Sequence, residues 1–417
     1  MDRKTGVSTT KGLLSGGGAL KQTPTFEIPV VVAATALCVG VGASLGFLHG
    51  FLAPELREFF AIDRARAGLL VSAYFGATGA MSIVSGVLAD RISPKRLIAV
   101  SLMILSCVIF AASQANSYST LLLLSLAGGA CYAPINTATN VVLARVVPQN
   151  QRGIASNAKT MGVPLLVSFG AFFAPVVGQR FSWRIPIVAS GVVAVVACAV
   201  VLIVVPSVAS IHQTGVSRRP PSGFWRVPVA AFFLLVGSQP VYSWSISYLV
   251  EELQIGKFVA GSVIGVASII GAMNMVLLGR MSDRLGLSSR RLFLMGLTSA
   301  LCLSQVLVAR AANFPIVVVL IAITVAVVSQ LAAIGTMHAL IIDLCPGSAG
   351  KGSGLTMTGY YLGALVAPVS FGYLADRFGY SWSWAYCAAC AAISMIFFWS
   401  VKWIRHETVD VSAKIMI

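Results

Sequence analysis

Long apolar runs alternate with short polar turns along nearly the whole chain. The runs cover approximately residues 28–52, 67–89, 96–114, 120–144, 154–178, 185–206, 227–250, 260–280, 292–311, 315–342, 355–375 and 383–403. Each approaches the roughly 20 mainly apolar residues that a helix needs to cross a bilayer. The pattern therefore predicts an all-α membrane protein with twelve spans, the most polar starts being those of the fifth and eleventh. Most joining turns are too short to hold a folded domain. The longest interior connection, SVASIHQTGVSRRPPSGFWR at 207–226, separates two sets of six. The expected organisation is a tail at 1–27, a six-helix bundle at 28–206, a linker at 207–226, a second six-helix bundle at 227–403 and a tail at 404–417.

Composition agrees with that reading. Of the 417 residues, 57% are hydrophobic and 10% are charged, against roughly 25% charged in soluble domains. The formal charge of +16 sits in clusters between apolar runs, without interleaved aromatics, so it implies topology and no nucleic-acid partner. Basic residues concentrate in the turns on the side of the two termini. The positive-inside rule then predicts a multi-pass membrane protein with both ends in the cytoplasm. The first 26 residues are polar and glycine-rich and lack the apolar core of a signal peptide. The eight cysteines lie almost all in apolar stretches at no metal-like spacing. No convergent acid, base and nucleophile set or nucleotide loop is visible. The expectation is a protein that is no enzyme and has no metal or cofactor.

Two turns repeat. GVLADRISPKR at 86–96 joins the second and third runs, and GRMSDRLGLSSRR at 279–291 joins the eighth and ninth. Each places a glycine at a helix end, an Asp-Arg pair four and five residues later, and a basic cluster at the next helix start. Small residues let helices approach closely, and an aspartate can meet an arginine or a helix N-terminus there. The turn resembles the signature of the major facilitator superfamily, carried here by Gly86, Asp90, Arg91, Lys95 and Arg96, with Ser93 and Pro94 departing from it. The second copy is Gly279, Asp283, Arg284, Arg290 and Arg291. FSWRIP at 181–186 is similar to the family's Trp-Arg pair after the fifth span. GYLADRFG at 372–379 is a weaker likeness at the other face, and is not expected to act as a third latch. The resemblance implies two pseudo-symmetric bundles that rock around a central site, with the charged turns as a conformational latch and a small solute as cargo. A monomer among the lipids of a bacterial inner membrane is expected.

Polar residues within spans are costly unless satisfied, and so mark a cavity or helix contacts. The substrate-binding candidates are Asn136 and Asn140 in the fourth span and Asn157 and Lys159 in the fifth. Tyr242 and Trp244 follow in the seventh, Asn274 in the eighth, Gln330 and His338 in the tenth, and Tyr360 and Tyr361 in the eleventh. Two readings are open for Lys159: snorkelling to the headgroups, or a positive anchor in the cavity. Acids number 13, and none lies deep in the first or fourth span. That scarcity favours a small organic anion such as a carboxylate, moved by secondary transport with proton symport as one option. His49, His338, Glu27 and Asp343 are the candidates to carry a coupling proton. The alternative is proton-driven export of amphipathic compounds, to which GAFFAPVVG at 170–178 is the pointer. The same small residues also suit close helix packing.

Overall fold

The computed structural model describes residues 27–148, 151–207, 220–221, 223–283, 287–345 and 349–401. The helices are α1 (Ile28–Phe51), α2 (Ala53–Phe60), α3 (Arg64–Arg91), α4 (Pro94–Ser113), α5 (Tyr118–Val146), α6 (Arg152–Thr160) and α7 (Gly162–Arg180). They continue with α8 (Arg184–Val204), α9 (Arg226–Glu251), α10 (Lys257–Asp283), α11 (Leu287–Ala309), α12 (Ile316–Leu344), α13 (Ala349–Phe378) and α14 (Tyr380–Ser400). No strand occurs among the described residues. Apolar stretches this long leave the backbone one way to satisfy its own polar groups, which is the helix.

Helix starts follow local chemistry. Asp63 accepts from the Arg66 amide at 2.7 Å to cap α3, and Ser117 accepts from Thr120 at 3.2 Å to cap α5. Pro94 stands in the first turn of α4 behind the Ser93 cap. Prolines inside helices at Pro134, Pro175, Pro240 and Pro368 each remove one rung of the backbone ladder.

Eleven helical segments among the described residues are long and apolar enough to cross a membrane. The predicted eleventh span, α13, falls outside that set, and it begins at Ala349 where the pattern placed its start near 355. Its first half carries Thr356, Thr358, Tyr360 and Tyr361, and that polarity dilutes the hydrophobic signal.

Two elements depart from the pattern. A short amphipathic helix, α2, occupies a stretch read as a turn. The fifth run is divided at Met161 into α6 and α7. The division has a steric setting: Gly162 lies so close to the Ala36 carbonyl of α1 that a side chain there would collide with backbone.

The two halves of the chain meet along α3 with α13 and α7 with α10. Close approach is possible at Gly68, where a Cβ would strike the Pro368 carbonyl, and at Gly261, where it would strike the Ala171 carbonyl. These contacts gather at the end of the bundle where α1 finishes and α3 begins. The end where α1 begins carries the basic turns.

Candidate functional site

Lys159 sits on α6, about seven residues or roughly 10 Å in from Arg152 at 1.5 Å per residue. It is 3% exposed, so it does not snorkel to water in this structure. Its ammonium donates to Asn136 Oδ1 at 3.0 Å and to Asn140 Oδ1 at 2.5 Å. Those two asparagines are four residues apart on α5 and therefore share a face. An ammonium has three donors and no acceptor, so the two amides leave one donor over. Among the described residues no carboxylate stands within ion-pair distance of Lys159. Burying a cation without a counter-charge costs several kcal/mol even after relaxation.

The wall opposite is aromatic and comes from the second half of the chain. The Tyr361 hydroxyl hydrogen-bonds with Asn136, and its ring meets that of Tyr360 edge-on at 5.3 Å. Tyr132 of α5 lies near both tyrosines. His338 of α12 lies within electrostatic reach of Lys159 and bonds through Nδ1 to the Ile334 carbonyl at 2.8 Å. Asn140 and His338 are exposed although both stand inside their helices. Both lie in the halves of α5 and α12 nearer the basic end. Tyr242 bonds weakly with Ser268 at 3.4 Å and packs against Phe47; it also lies near Tyr360. Gln330 is buried with its carbonyl oxygen unpartnered.

Other candidates lie elsewhere. Trp244 is 1% exposed, donates to the Pro368 carbonyl at 3.0 Å and stacks on Phe371. It belongs to the packing between α9 and α13. Asn157 and Asn274 are half-buried. His49 is sealed in the bundle with neither ring nitrogen partnered. Glu27 is exposed ahead of α1. Asp343 accepts from Arg290 at 2.8 Å, so one basic residue of the second repeated turn is tied to α12.

Of the repeated turns, Gly86 faces open space, Arg91 and Arg96 are exposed, Lys95 is half-exposed, and Arg291 is half-buried. Arg284, the surroundings of Gly279 and the side chains of Asp90 and Asp283 lie outside what is described, as do most of the tails and linker. In the stretch weighed as a pointer to export, Gly170 packs on Phe51 and Gly178 on Leu52 of the α1–α2 turn. Two apolar grooves flank α1, one of about 350 Å³ against α7 and α8 and one of about 710 Å³ against α6 and α7. Neither is lined by Lys159.

A second constellation escaped the sequence reading. At the end away from the basic turns, Glu251 of α9 accepts from Arg57 of α2 and Arg64 of α3, both at 2.6 Å, and from the Tyr380 hydroxyl at 3.1 Å. Arg64 also reaches Asp376 at 3.3 Å, and the same carboxylate caps the Ala65 amide at 3.0 Å. Lys257 of α10 pairs with Glu55 of α2 at 2.5 Å. Each ion pair joins the first half of the chain to the second, and together they form a clasp that closes this end. Burial raises the Glu55 carboxyl above its usual range, and Lys257 opposes that rise. The signal in the sequence is GYLADRFG, which supplies Asp376.

Comparison with known proteins follows the same architecture. The family described as Major Facilitator Superfamily matches residues 32–368. A protein of Mycobacterium tuberculosis (strain CDC 1551 / Oshkosh), the uncharacterized MFS-type transporter MT3072, is 24% identical over 372 residues, spanning 86% of this chain and 83% of its own. Among solved structures, a bacterial homologue of the human lysosomal transporter Spinster, inward-facing and unoccupied, superposes with a TM-score of 0.73 at 15% identity. That match covers 90% of this chain and 97% of the other. A D-xylose–proton symporter gives 0.69 at 13% identity, covering 89% and 97%.

Proposed function

The chain belongs to the Major Facilitator Superfamily, a multi-pass secondary transporter of small molecules and not an enzyme, and we propose that its cargo is a small organic anion such as a carboxylate. The observation that carries this reading is Lys159, a buried cation held by two neutral amides. A bound carboxylate would take the remaining donor and supply the missing counter-charge, turning an unfavourable buried ion into a charge-assisted pair. Tyr360, Tyr361 and His338 would then face the body of the solute from the second half of the chain.

Binding between the halves suits alternating access, in which two six-helix bundles, at 28–206 and 227–403, rock about the site. The clasp is closed here, and the exposure of Asn140 and His338 supports access to the cluster from the basic end. With the basic turns in the cytoplasm, as the positive-inside rule favours, this arrangement faces inward and both termini are cytoplasmic. The turns around Asp90 and Asp283 would stabilise the opposite, outward-facing arrangement. The form proposed is a monomer in the bacterial inner membrane.

The test is thermal stabilisation of the purified protein by carboxylates, sugars, amino acids and lipophilic cations, with the native chain and Lys159→Met side by side. Stabilisation by a carboxylate that Lys159→Met abolishes is the expected result. Stabilisation by lipophilic cations alone would overturn it and turn the reading to export.

A further inference from the structure

We propose that this carrier takes monovalent anions and moves them by exchange, the loaded form crossing between its two states much faster than the empty form. The inference rests on the anion reading above and deepens it.

The charge of the cluster is the starting point. Around Lys159 stand Asn136, Asn140 and Tyr361, all without formal charge, and His338, whose Nδ1 meets the Ile334 carbonyl at 2.8 Å. The acids whose side chains are described are engaged or remote: Glu251, Asp376 and Glu55 in the clasp, Asp343 with Arg290, Asp63 capping α3, and Glu27, Glu58 and Glu252 exposed at helix ends. With Lys159 protonated and the imidazole neutral, the site carries one positive charge. A monoanion makes the occupied site neutral. A dianion would leave one negative charge in a buried space where no second cation of the described chain faces it.

The same count governs motion. Passing between the two states requires both ends to be closed for an instant, which would seal off the cluster at Asn140 and His338, both exposed in the present arrangement. An empty site would then hold a bare ammonium on two amide oxygens in low dielectric, where isolated charge is most expensive. A monoanion removes that penalty. A carrier built for net uptake would need a substitute counter-charge for the empty return, and no carboxylate of the described residues stands within ion-pair distance of Lys159. The barrier difference falls on the empty carrier.

The experiment uses the purified full chain, first for binding and then in proteoliposomes held at zero membrane potential. Acetate, lactate, benzoate and 4-hydroxybenzoate serve as monoanions, succinate and phthalate as dianions. The best-stabilising monoanion, radiolabelled, is then followed into vesicles that are empty or preloaded with the same unlabelled anion. Preloading should accelerate uptake about tenfold or more, equivalent to about 1.4 kcal/mol between the empty and loaded barriers. Dianions should bind about tenfold more weakly than their monoanion counterparts. Equal rates into empty and preloaded vesicles would overturn exchange while anion binding, and with it the functional reading, stood. So would uptake into empty vesicles driven to the preloaded rate by an inward proton gradient, which would mean that a titrating group completes the empty return. Dianions bound as tightly as monoanions would overturn the valence. Stabilisation by no anion, or by anions equally in Lys159→Met, would overturn the functional reading and this inference together.

Discussion

Replacing Glu251 with alanine removes the hub of the clasp. Three contacts are lost at once: two guanidinium pairs at 2.6 Å and the Tyr380 hydroxyl at 3.1 Å. The carboxylate is 21% exposed and its arginines 22% and 24%, so these pairs lie between the surface limit of about 0–1 kcal/mol and the 3–5 kcal/mol of a broken buried pair. Arg64 retains Asp376 as a partner, which lowers the loss further. A total of about 2–3 kcal/mol in the closed state is a reasonable sum. It should move the closed-to-open ratio by roughly 30- to 150-fold. Spin labels at the exposed positions Glu58 and Arg377 lie on opposite sides of the clasp, and their distance distribution reads that ratio directly. Glu251→Ala should enlarge the long-distance population, and Arg57→Ala added to it should have much less effect than it has alone. Identical distributions in the native chain and Glu251→Ala would refute the view that these ion pairs hold this end closed.

Burial raises the Glu55 carboxyl while Lys257 opposes the rise, so the closed clasp binds the Glu55 proton more tightly than an open, hydrated one would. This contribution to closure is present at low pH and is lost as pH rises through the raised value; the labelled pair should show it, and Glu55→Gln should remove that component of the pH response. Gly68→Val should force α3 from the Pro368 carbonyl, costing about 1–3 kcal/mol as overpacking does, seen as a lower melting temperature together with a more open clasp; an unchanged melt and distance would contradict the tight contact. Asp90→Asn and Asp283→Asn should cut transport several-fold at equal membrane abundance, and undiminished initial rates would exclude a latch role for the repeated turns.

Much of the architecture was legible before any coordinates. A run of some 20 apolar residues has few physical options, because each backbone amide must find its partner within the segment. The chain thereby declared its helices, its all-α class and the repeated turns at 86–96 and 279–291. The hydrophobic signal was weakest at α13, where Thr356, Thr358, Tyr360 and Tyr361 interrupt it. It was silent on α2, whose eight residues are too short for a spanning pattern.

The scarcity of deep acids and the oddity of Lys159 could also be read from residue types, since a charge at membrane depth is conspicuous in any register. What residue types do not carry is direction. Trp244 and Tyr242 are two residues apart on α9, yet one is committed to the Pro368 carbonyl and the other lies near Tyr360. Lys159 had two open readings until the fold set Asn136 and Asn140 opposite its ammonium. The clasp was least visible of all: Arg57, Arg64, Glu251 and Asp376 are scattered over 320 positions, in turns where charge is ordinary. Periodicity along one helix is local and is written in the chain. Pairing between helices depends on how the two halves meet, and that is settled by packing across the interface.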